Sequence, residues 1–130
     1  MIALAALLAV QVGSPVPPAV QAYYDCAAGG VDRLATRPDR PHADIVAEAI
    51  AECAPLRGAA FEQGADYIVA EPETQAWLRA RNIGAEEARL LGEVEFDRAL
   101  RRQLTINLAR IRREGRSDSA GSDWGTTPCR

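Results

Sequence analysis

From Ala19 to Arg113 the apolar residues recur at helical spacing and nowhere alternate as a strand would, so this part of the chain is expected to build with helices alone. A first helix over roughly 20–35 sets Val20, Tyr24, Ala27, Val31 and Leu34 on one stripe. Gly29-Gly30 inside it costs about 2 kcal/mol of helix propensity relative to alanines, which implies either a bend or a closely approaching neighbour. Pro38, Pro41 and the charges between them form a connection. The second helix, from His42 to Cys53, turns Ile45, Val46, Ala49, Ile50 and Cys53 inward. Pro55 lacks an N–H and would crowd the carbonyl of Ala51, so it opens a third helix rather than extending the second. Leu56, Ala60, Gly64, Tyr67 and Ile68 make the next seam. Glu71-Pro72 repeats the signal and starts a short helix anchored by Trp77 and closed by Asn82 and Gly84. The last helix, Ala85 to Arg113, spans ~43 Å at the standard rise. Its apolar stripe is Phe96, Leu100, Leu104, Leu108 and Ile111. The predicted fold is all-α: a small irregular helical bundle with a long C-terminal amphipathic helix and a disordered tail.

Both ends of the chain are expected to lie outside this bundle. Residues 1–22 read as a cleavable export signal. The apolar run Ile2 to Val12 has the length of a signal core and is too short to cross a bilayer. Gly13, Ser14 and Pro15 then stop any helix, and Val20-Gln21-Ala22 offers the small residues that a signal peptidase accepts before its cut. No Arg or Lys precedes the run, so the terminal amine alone supplies its positive charge. At the other end GRSDSAGSDWGTTPCR is rich in small polar residues and has no apolar period. The expected division is a signal peptide at 1–22, a helical domain at 23–114 and a disordered tail at 115–130. Export places the folded part in the periplasm or outside the cell.

That compartment changes how the cysteines are read. Cys26 and Cys53 each lie about 14–15 Å from the turn joining the first two helices, so antiparallel arms bring them to one height. A disulfide between Cys26 and Cys53 is therefore expected in an oxidising environment. The loop it closes is worth about 3.5 kcal/mol in the chain-entropy model, a large term for a small, alanine-rich domain. Cys129 is left over in the tail. No CxxC or HxxxH spacing supports zinc, and no metal or cofactor is expected.

The same residues exclude several chemistries. All 15 basic residues are arginine, which removes Schiff-base lysines and the phosphate-binding P-loop. After cleavage every serine lies in the tail, so a serine triad has no nucleophile in the body. His42, the one histidine, follows Pro41 at a helix start and reads as a first-turn residue. The chain is read as non-enzymatic. Two candidate surfaces remain. Tyr23 to Asp97 carries 7 Arg against 15 acids, net −8, whereas Arg98 to Arg116 carries 7 Arg against one acid, net +6. The arc Arg98, Arg101, Arg102, Arg112, Arg113 and Arg116 is thus a candidate face for an acidic protein or an anionic envelope surface; the competing reading has these arginines balance the acidic body of the same molecule. Nucleic acid is not an expected partner in that compartment. The other candidate is the line Glu86, Glu93 and Asp97 on the last helix, which would serve a cation or small-ligand binder or an enzyme working through carboxylates. Its simpler reading is pairing with Arg89 or Arg101 one turn away. The last helix is also long enough to pair with a second copy of itself. The functional expectation is a small exported structural or interaction protein.

Overall fold

The computed structural model describes residues 15–126, with side chains described for 15–115. It is all-helical, and among the described residues there is no strand. The elements are α1 (Pro18–Leu34), α2 (His42–Glu52), α3 (Ala54–Val69), α4 (Pro72–Ala80) and α5 (Ala85–Thr126). Residues 1–14 of the expected export segment lie outside the described residues. So do the side chains of the expected tail, among them Arg116, Trp124 and Cys129.

Proline sets most of the boundaries. Pro18, Pro55 and Pro72 each sit in the first turn of their helix, where the missing N–H is one that a helix leaves unbonded anyway. α2 and α3 are separated by Cys53 alone. Asn82, at φ 54°, adopts the left-handed conformation that ends the turn after α4 and sends the chain into α5.

The core lies between α1, α2, α3 and the middle of α5. Val20, Tyr23, Ala27, Val31 and Leu34 enter it from α1, Ile45, Val46, Ala49 and Ile50 from α2, and Phe96, Leu100, Leu104 and Leu108 from α5. Tyr23, Phe61 and Phe96 stack edge to face in a row, with centroids 6.1 and 5.1 Å apart. Gly30 answers the question its neighbour pair raised. A Cβ there would stand 3.0 Å from the Cβ of Ala49, so α1 and α2 approach closely at that point, while Gly29 faces open space.

The expected inward set needs several corrections. On α1 it is Tyr23 that is fully buried, and Tyr24 is only half-buried. Leu56 is exposed, whereas Phe61 and Ala65 are buried and carry the α3 seam with Ala60 and Gly64. α4 is anchored by Leu78; Trp77, expected as its anchor, is 45% exposed. The α5 stripe is as expected except that Ile111 is half-buried. Cys26 and Cys53 are at disulfide distance, with Cα atoms 6.1 Å apart.

The start of α1 bears on the export segment. The cut expected after Ala22 falls inside α1, and Val20, two residues upstream of it, is 3% exposed and packed in the core. Val16 also packs against that core.

Candidate functional site

α3 ends at Val69, and Pro72 forces a new helix after two intervening residues, Ala70 and Glu71. The resulting short α4 has one buried side chain, Leu78. In the adjoining half of α5, Ala88, Gly92 and Ala99 are buried small residues, and Phe96 is the large side chain that turns inward among them, onto Gly64 of α3. A Cβ on Gly92 would lie 3.1 Å from the carbonyl oxygen of Ala65, so α5 and α3 are in backbone contact there. Small residues thus bring α5 down onto α3, and among the described residues no large side chain fills the angle between α4 and α5.

The result is a half-open apolar groove with a cavity volume of about 450 Å³. Its floor includes Leu78 and Ala99, and Ile68 and Val69 close the α3 side. Trp77, Leu91 and Val94 line it while remaining 45%, 40% and 56% exposed. Exposed apolar side chains of this size, gathered on one concave surface, mark a place where something is bound more often than scattered ones do.

The rim is acidic. Glu71 and Glu73 stand at the α4 end, and Glu95 and Arg98 at the α5 side. Arg98 is spent on Glu95, at 3.5 Å. The Arg81 guanidinium lies over the Trp77 ring at 4.2 Å. Glu71 has no basic partner among the described residues. Partial burial, and then the charge of Glu73, hold its carboxyl above the usual carboxylate range.

The sequence-predicted sites are distributed differently. Along the arginine arc, Arg101 pairs with Asp97 at 3.0 Å, and Arg112 donates to the backbone carbonyls of Arg37 and Arg40 at 2.8 and 3.0 Å. Arg112 therefore ties α5 to the α1–α2 connection. Arg102 and Arg113 are exposed and have no ion pair or hydrogen bond among the described residues. The carboxylates of the α5 line are not gathered into one site. Glu93 faces Arg89 at 3.8 Å, Asp97 bonds Arg101, and Glu86 is exposed. Among the described residues no group of three His, Cys, Asp or Glu could hold a metal ion. No described helix is long and apolar enough to cross a membrane. Asn107 donates from Nδ2 to the Tyr24 hydroxyl at 2.6 Å and joins α5 to α1.

Sequence reasoning missed the groove. The available signal was a surplus: Leu90, Leu91 and Val94 are apolar yet fall off the stripe that Phe96 and Leu100 define. Comparison of the chain with protein families, curated proteins and solved structures found no match.

Proposed function

We propose that this chain is a small exported interaction protein, non-catalytic, that receives an apolar or amphipathic segment in the groove between α3, α4 and α5. The observation that carries the reading is the exposure of Trp77, Leu91 and Val94 on one concave surface of about 450 Å³. Glu93, Glu95 and Asp97 of α5 each face an arginine of the same helix, and among the described residues nothing covers Trp77, Leu91 and Val94 in the groove. Binding of the uncharged dye Nile red tests this. The wild-type chain should enhance and blue-shift its emission, and Leu91→Arg should abolish the effect, while Glu93→Gln with Asp97→Asn should retain it. Enhancement that survives Leu91→Arg, or that depends on the carboxylates, overturns the reading.

Export remains part of the proposal, with the cut placed upstream of Val16 so that Val16 and Val20 stay in the core. Intact-mass analysis from the native host would support it with a trimmed chain. A species that keeps Met1 and three alkylatable thiols before reduction would overturn it.

Arg102 and Arg113, exposed and without an ion pair among the described residues, favour a second reading, in which this face of α5 meets an anionic envelope surface. Salt-sensitive binding to anionic vesicles, lost in Arg102→Glu with Arg113→Glu, would support it; no binding at low ionic strength would remove it.

A further inference from the structure

We infer that the groove's occupant is a basic amphipathic helix of a partner protein, its apolar face on Trp77, Leu91 and Val94 and its cationic side chains toward Glu71 and Glu73. This inference rests on the groove being the binding surface and adds the chemistry of what enters it. Three observations support it.

The α5 wall of the groove is three turns long. It runs from Ala88 to Ala99, about 16 Å at the helical rise, which matches a three-turn helix laid lengthwise. Apolar residues at helical spacing on such a segment would meet the exposed side chains of both walls.

The rim has unspent negative charge. The Glu95 carboxylate already has Arg98, but Glu71 and Glu73 have no ion pair among the described residues. Arg81, the residue that caps α4, stacks on Trp77 and donates to the Trp77 carbonyl at 3.3 Å, which fixes it beside the aromatic wall. Two carboxylates at one end of an apolar trough would discriminate among partners by charge, since a like-charged segment meets repulsion where a cationic one is attracted.

Glu71 bears an electrostatic penalty that a cation would relieve. It is partly desolvated and next to a second carboxylate, and both effects disfavour its ionised form. An ammonium or guanidinium placed between Glu71 and Glu73 cancels the repulsion between them and offsets the desolvation by its attraction for the ionised form. The wider surroundings have the same sign, because the segment Tyr23 to Asp97 is strongly acidic. That field would speed the approach of a basic partner.

The test uses the full-length mature chain with Trp124→Phe, so that fluorescence reports Trp77 alone. Three 14-residue amphipathic probe peptides share one leucine pattern and carry Lys, Gln or Glu at the polar positions. The Leu/Lys peptide should bind at least tenfold more tightly than the Leu/Gln peptide. In Glu71→Gln with Glu73→Gln that advantage should fall below twofold while Leu/Gln binding is unchanged. Asp32→Asn with Asp39→Asn removes the same charge at exposed sites outside the groove and should keep the advantage. Equal affinity for all three peptides, with binding still lost in Leu91→Arg, overturns the charge assignment and leaves the groove reading standing. No Trp77 response to any peptide overturns both. Concentration-dependent dimerisation abolished by either Leu91→Arg or Arg102→Glu would assign the groove to a second copy and overturn the proposal.

Discussion

The Phe96 ring fills the space a side chain at position 64 would need: a Cβ on Gly64 would stand 2.6 Å from Phe96 Cδ2. α3 and α5 therefore cross at ring-on-backbone contact, and the aromatic row through Phe61 depends on that spacing. Gly64→Ala should destabilise by about 1–3 kcal/mol despite its better helix propensity, because the ring is packed and cannot retreat. Gly58 lies in the same helix with open space around it, so Gly58→Ala should stabilise by about 0.5–1 kcal/mol. Urea unfolding midpoints of the two variants should move in opposite directions.

The adjacent tyrosines of α1 should respond with opposite signs to loss of the hydroxyl. Tyr23 is fully buried, and its Oη has no hydrogen-bond partner among the described residues. Tyr23→Phe removes a buried unsatisfied group and should raise stability by about 1 kcal/mol. Tyr24 accepts from Asn107, so Tyr24→Phe should lower stability by about 1 kcal/mol. Thermal or urea unfolding of the pair, measured side by side, decides this.

Cys26 and Cys53 close a loop with a sequence separation of 27 residues. Cys26→Ala with Cys53→Ala should cost about 3.5 kcal/mol, chiefly by enlarging the unfolded ensemble. The oxidised chain, denatured without reductant, should show a single reactive thiol, that of Cys129.

Glu71 should make stability depend on pH in a direction opposite to most carboxylates. Its folded-state carboxyl is held above the usual range, so its favourable contribution is complete below about pH 4 and is lost as pH rises through the raised value. Glu71→Gln should therefore match the wild type in acid and exceed it at neutral pH. Glu48 has the opposite sign: the hydrogen bond from Arg40 holds its carboxyl low, so its contribution is present at neutral pH and fades as pH falls. Glu48→Gln should narrow its stability deficit in acid. Unfolding curves across the acid range check both signs.

Helical class, proline-set boundaries and the cysteine pairing were legible from residue order, because each rests on local spacing: a period along one helix, a missing N–H, equal distances from a turn. The interior face of α5 was legible for the same reason, in Phe96, Leu100, Leu104 and Leu108. What residue order could not rank was Tyr23 against Tyr24, Leu56 against Phe61, or Trp77 against Leu78. In each pair both residues are apolar enough for the core, and the choice follows from the direction in which a second helix arrives.

The groove belongs wholly to the tertiary structure. It exists because Ala88, Gly92 and Ala99 let α5 settle on α3 while the two-residue break before Pro72 turns α4 aside, leaving Trp77, Leu91 and Val94 uncovered. Periodicity tells which side of a helix is apolar. Whether that side is filled depends on interhelical angles, which are set by side-chain volumes from residues far apart in the chain.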